Sequence, residues 1–140
     1  MAGVSVSWPI RVYHEDTDSG GVVYHSNYLN FMERARTEWL RTLGFGQNEL
    51  KDALNIIIVV HALSIDYRHP ARFDDALVVV SELTKIGYSS FEFIQIIKRN
   101  ELVLTTSKVR LVCVDSEQFK PVAIPPTIKL KMNKEQTEQL

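Results

Sequence analysis

Glu15, Asp16 and Asp18 crowd a short stretch that continues through Gly20, Gly21 and His25 into a helix-like run ending near Leu40. A carboxylate beside a helix N-terminus sets a base or nucleophile next to backbone N–H groups that can stabilise an oxyanion, and that pairing suits acyl transfer. Any one of the three carboxylates is a candidate. The ordinary fate of such residues is an exposed turn. Gly20 and Gly21 permit close backbone approach or positive φ directly after Asp18, and residues 22–27 then offer N–H groups where the helix starts. His25 has two candidate contributions: its backbone N–H can polarise a carbonyl, and its imidazole can bond the substrate or shuttle a proton. Ser19 and Ser26 lack the G-x-S-x-G surroundings of a nucleophile elbow, and no phosphate-binding glycine loop is present. His14 and His61 sit in strand-like patterns and His69 in a turn before Pro70, so all three read as structural. Cys113 lies in an apolar run and reads as a core thiol.

The elements that must position these groups follow from periodicity. From Val4 to Val12 the even positions are Val4, Val6, Trp8, Ile10 and Val12 and the odd ones are mostly polar, which predicts a half-buried strand. Pro9 on the polar side favours an edge or bulge. Tyr28, Phe31, Met32, Ala35, Trp39 and Leu43 recur at helical spacing, with Ser26 or Asn27 as the candidate cap and Gly44 as the stop. Arg36 falls inside the apolar arc of this helix. Either its stem packs while its head reaches water or Glu33, or it is a charge held at a subunit contact. A short helical or irregular piece, 47–54, precedes strand-like runs at 56–67, 76–86, 91–99 and 102–114, separated by turn residues, which read as an antiparallel meander. Pro121, Pro125 and Pro126 then interrupt regular structure, and 127–140 reads as a polar tail with at most a weak helix. The expected architecture is α+β, a sheet wrapped around one helix, with edge strands available for pairing between subunits.

At 140 residues the chain is expected to be one domain, large enough to bury roughly 68% of its unfolded surface. It has 16 basic against 17 acidic residues, so nothing calls for nucleic acid. Its apolar runs fall short of the ~20 residues that cross a bilayer, and its start lacks a secretory pattern. A lone cysteine, Cys113, points to a reducing cytoplasm. No repeat and no metal-ligand cluster is evident.

The block EDTDSGGVVYHSNYLNFMERARTEWLR, with RVYHEDTD before it, YRHPARFDD near residue 70 and VCVD near Cys113, closely resembles the hotdog-fold 4-hydroxybenzoyl-CoA thioesterase family, nearest to its Tol-Pal-associated acyl-CoA thioesterase branch. The resemblance implies a hotdog fold, in which an antiparallel sheet wraps one long central helix. It further implies hydrolysis of short- to medium-chain or aromatic acyl-CoA without metal or organic cofactor. The family's catalytic aspartate falls on Asp18, as nucleophile or general base, and its carbonyl-polarising amide falls on His25. Relatives with tyrosine where this chain has His14 can turn it to the site. Family members dimerise edge to edge with active sites at the interface, and many form tetramers. Three other readings stand beside this one: an acyl-carrier-protein thioesterase, a low-turnover scaffold of cell-envelope or lipid-synthesis machinery, and a hotdog dehydratase or hydratase. Lys85, Arg99, Lys108 and Arg110 are candidates for CoA phosphates by charge and strand position alone.

Overall fold

The computed structural model describes residues 5–138, and Val4, Gln139 and Leu140 lie outside them. The element order is β1 (Val6–Arg11), a 3₁₀ turn (His14–Asp16), α1 (Asn27–Thr42), α2 (Gln47–Leu54), β2 (Ile56–Tyr67), β3 (Ala76–Ile86), β4 (Ser90–Arg99), β5 (Leu102–Asp115) and α3 (Pro126–Glu138). Five strands form one sheet in the order β1-β3-β4-β5-β2, each pair antiparallel. No helix among the described residues is long and apolar enough to cross a membrane.

The expected meander holds for β3-β4-β5 but not for β2, which pairs with β5 at the far edge while β1 occupies the free side of β3. Residues 68–75 therefore cross the end of the sheet, over about 14 Å at the usual strand spacing. Eight residues reach that far with slack to shape a loop. Pro9 sits on edge strand β1, opposite Val78, where its missing N–H costs no ladder bond. His14 is not in a strand; it opens the 3₁₀ turn and stacks on Phe73 with ring centroids 3.7 Å apart. His61 stays in β2, at the register shift between Val60 and Ala62.

The sheet wraps α1 because the helix has an apolar stripe at 3.6-residue spacing and the strands alternate. Tyr28, Phe31, Met32 and Ala35 pack with Leu77, Val79, Ile97 and Leu104, and Trp39 and Leu40 with Phe91, Phe93, Val109 and Leu111. Trp39 meets Phe93 edge-on at 4.7 Å. Each such side chain contributes about 2 kcal/mol by leaving water. Gly44 ends the first helix region at φ +90°, a conformation its lack of Cβ permits.

Two features of this core went beyond the sequence reading. Arg36, half-buried beside Glu33, has a partner not foreseen: its Nη1 donates to Gln95 Oε1 at 2.9 Å. Gln95, fully buried on the inner face of β4, passes its own amide protons to the Met32 carbonyl (3.0 Å) and Ser81 Oγ (2.9 Å). Burial pulls the guanidinium below its ordinary pKa, against the opposing charge of Glu33. The segment read as a tail forms α3, started by Pro126, and buries Ile128 and Met132 in the cluster around Trp39.

Candidate active site

The loop between β1 and α1 folds as a small hairpin. The Asp18 N–H donates to the Val22 carbonyl (2.9 Å), the Gly21 N–H to the Asp18 carbonyl (3.0 Å), and Thr17 bridges Val23. Gly21 takes φ +80°, which a side chain would strain. The hairpin is strung on the crossover, because the Val23 N–H donates to the Ala71 carbonyl at 2.8 Å and Val22 bridges Arg72. The crossover is itself clamped. Arg99 on β4 pairs with Asp75 at 2.8 Å and reaches the Pro70 carbonyl, while the Ala71 N–H donates to the buried Tyr28 hydroxyl at 3.0 Å. Thus a tertiary connection, rather than local turn chemistry, sets where the loop lies.

The three carboxylates separate at once. Asp16 is 4% exposed. Its Oδ2 accepts the Tyr13 N–H and its Oδ1 the Asn27 amide, both at 2.8 Å, so it ties the loop to the first turn of α1. Glu15 is exposed in the 3₁₀ turn. Asp18 is exposed, and its Oδ1 accepts the Gly20 N–H at 2.8 Å. Among the described residues no donor meets its Oδ2, which leaves one carboxylate oxygen able to take a proton or attack a carbonyl.

The start of α1 departs from the expected capping. Neither Ser26 nor Asn27 caps the helix through its side chain; the Asn27 amide goes to Asp16 instead. Main-chain bonds take up part of the helix start instead, the Leu29 N–H going to the Ser26 carbonyl at 3.1 Å. Among the described residues nothing accepts the N–H of His25, whose neighbours are engaged: Tyr24 N–H with the Asp16 carbonyl and Asn27 N–H with the Tyr24 carbonyl, both at 2.9 Å. The His25 imidazole is exposed and tilts against Tyr24. A depression of about 280 Å³ lies beside it, walled by Val23, Tyr28, Tyr67, Arg68, His69 and Pro70. A second cavity, of about 150 Å³, lies further along α1 between Arg36, Trp39, Val60 and Phe93 and does not touch the Asp18 loop.

Tyr67 is a residue that sequence reasoning missed: its hydroxyl donates to the His25 carbonyl at 2.8 Å across 42 positions of sequence. Only its place in the YRHPARFDD block hinted at it. The basic residues proposed from charge fare differently. Arg99 is spent on the crossover, and Arg110 pairs with Glu92 at 3.4 Å on the sheet face opposite α1, beside Lys108. Lys85 is exposed on β3. Arg68 and His69 wall the depression at His25. Among the described residues no three His, Cys, Asp or Glu side chains gather to hold a metal ion.

Comparison with known proteins places the fold. Residues 12–132 match the model of the thioesterase-like superfamily. The acyl-CoA thioesterase YbgC of Haemophilus influenzae is 48% identical over 88% of this chain and 90% of its own length. The acyl-CoA thioester hydrolase YbgC of Escherichia coli O6:H1 is 45% identical over 86% and 90%. A crystal structure from Bartonella henselae, titled a probable thioesterase, superposes with a TM-score of 0.84 at 34% identity, covering 87% of this chain and all of that one. The matched span and the identity to these relatives show that the chain belongs to the thioesterase-like superfamily with its hotdog fold.

Proposed function

We propose that this protein is an acyl-CoA thioesterase acting on short- to medium-chain or aromatic acyl groups. The observation that carries the reading is the pairing, on one loop, of Asp18 and the His25 N–H, with no donor to the Asp18 Oδ2 and no acceptor for that N–H among the described residues. The thioester carbonyl oxygen sits against the His25 N–H and the positive end of α1, which stabilise the charge that develops there. Asp18 either takes a proton from the water that attacks the carbonyl carbon or attacks that carbon itself, giving an anhydride that water then opens. The C–S bond breaks, CoA leaves as thiolate and gains a proton, and the acid departs with the water oxygen.

The long N-terminal block supports a place in the Tol-Pal-associated branch, and the reading covers residues 1–140 as one hotdog domain working in the cytoplasm. Edge strand β2 supports dimerisation. Val60, Leu63 and Tyr67 lie opposite Leu111, Val109 and Thr105 in register, so they face the α1 side, yet they are 51%, 38% and 47% exposed. A second copy paired along β2 covers them and completes the site, with tetramers formed by further stacking.

CoA-thiol release from a panel of straight-chain and aromatic acyl-CoAs, wild type against Asp18→Ala, tests the proposal. Turnover that depends on Asp18 is expected. Turnover confined to acyl-carrier-protein thioesters would move the substrate class, and no turnover on either would favour a scaffolding role.

A further inference from the structure

The amide that the proposed function relies on belongs to a residue outside the helix proper, in a loop where a peptide plane can swing. The structure holds that residue from both sides. On the N-terminal side the Tyr24 carbonyl accepts the Asn27 N–H at 2.9 Å. On the C-terminal side the His25 carbonyl accepts the Tyr67 hydroxyl at 2.8 Å, and among the described residues Tyr67 is the one side chain that does this. The tyrosine is itself fixed. It ends β2 in register with Thr105, and its ring stands edge-on to Tyr28 at 5.5 Å. Tyr28 is 3% exposed and anchored through its hydroxyl to the Ala71 N–H.

We propose that Tyr67 is a positioning residue for the thioesterase reaction: through the His25 carbonyl it holds the backbone of His25 so that the N–H faces the thioester oxygen. The inference rests on the functional reading above. Tyr67 does not touch the reacting atoms in this scheme. It acts through main chain, and by withdrawing density from the His25 carbonyl it also strengthens the next N–H of the helix start. Burial raises the pKa of its hydroxyl above the ordinary value of 10.0, so the proton it donates is present throughout the neutral range. Its position is telling in a second respect. It lies on the strand whose free edge is open to a second copy, so the same residue borders the oxyanion site and the association edge.

Tyr67→Phe keeps the ring and removes the donor. An amide that samples wrong orientations stabilises the transition state less and the ground state hardly at all, so kcat is expected to fall about tenfold with KM within about twofold, the worth of one ordinary hydrogen bond. Thermal midpoint should fall by no more than about 5 °C. A readout independent of turnover is the ¹³C′ resonance of His25, expected to move upfield when the hydroxyl is lost, and the amide resonance of His25 should move with it. Unchanged kcat in Tyr67→Phe, alongside wild-type turnover that vanishes in Asp18→Ala, would overturn the proposal while leaving the functional reading intact, as would a loss carried wholly by KM. Absence of wild-type turnover on every thioester would instead overturn the functional reading and this role with it.

Discussion

Asp16 and Asp18 are two residues apart and chemically identical, yet the structure gives them opposite surroundings, and on the proposed function exchanging each for asparagine should separate stability from activity. Asp16 is nearly fully buried and accepts two N–H donors at 2.8 Å, one from the Tyr13 backbone and one from Asn27. Asparagine can present one oxygen only. Its amide nitrogen would face the other donor, which loses a charge-assisted bond and leaves a buried N–H unpaired, costing about 3 kcal/mol in total. With an unfolding entropy near 2.1 cal/mol/K per residue, that loss lowers the Tm by about 10 °C. Asp18 is exposed and accepts one N–H, from Gly20, which an asparagine oxygen accepts equally well. Its stability change should stay within about 0.5 kcal/mol. Asparagine cannot take a proton or form an anhydride, so thiol release should fall by about 10²–10⁴-fold. Urea denaturation followed by the fluorescence of buried Trp39, together with thiol release from an acyl-CoA, reads both quantities. A stable Asp16→Asn, or an Asp18→Asn that keeps more than about a tenth of wild-type turnover, would refute this division of labour.

Four further outcomes are expected. Arg99→Ala removes the clamp on the crossover and should cost about 2 kcal/mol, with activity lost in step because the Asp18 hairpin hangs on Ala71 and Arg72; activity at the wild-type level in a destabilised variant would uncouple the two. Thr105 has a fully buried hydroxyl with no partner among the described residues, so Thr105→Val should raise stability by about 1 kcal/mol in urea titration; a loss of that size would show that the hydroxyl is engaged. Burial pushes the Cys113 thiol up to about 11 from an ordinary 9.0, so the folded state keeps a proton that the unfolded chain releases. The stability tied to that proton is full below about pH 9 and is lost as pH rises toward 11, and Cys113→Ala should show a shallower decline across that window. Gln95→Leu removes the acceptor of the Arg36 guanidinium and should cost about 2 kcal/mol in the same titration, whereas a neutral result would mean Arg36 has another partner.

What could be read from the sequence was governed by range. The stripe of α1, its stop at Gly44 and the alternation of β1 are local periodicities, and the strand limits 56–67 and 76–86 coincide with those observed. The position of β2 depended on a pairing with β5 about fifty residues away, and a run of strands divided by turns defaults to a meander when read along the chain. The helix α3 rests on two buried residues, Ile128 and Met132, while Leu130 between them is 72% exposed. Too little pattern remained there to outweigh three prolines. The site divided in the same way. The acidic loop, the glycines and the helix start were visible as a constellation, but which carboxylate was free depended on Tyr13 and Asn27, and the Tyr67 contact on a strand folded back from elsewhere. Arg36 looked anomalous on its helix because its partner, Gln95, belongs to β4.

The crossover 68–75 explains why a small loop can keep a reactive geometry. Asp18 and His25 are exposed, so water meets the carboxylate oxygen and the amide at little cost, but a local partner would compete with a substrate for either. Here the local partners are already used. Asp16 takes the Asn27 side chain that might have capped α1, the Ala71 carbonyl takes the Val23 N–H, and the Tyr67 hydroxyl takes the His25 carbonyl. Each of those bonds comes from buried or clamped chain: Tyr28 beneath Ala71, Arg99 across Asp75. The other polar groups of the loop are therefore held by chain packed against the sheet rather than by the loop itself. Because β2 runs at the far edge and residues 68–75 return across the end of the sheet, one short stretch of chain brings Tyr67 to the His25 carbonyl and Ala71 to the Val23 N–H.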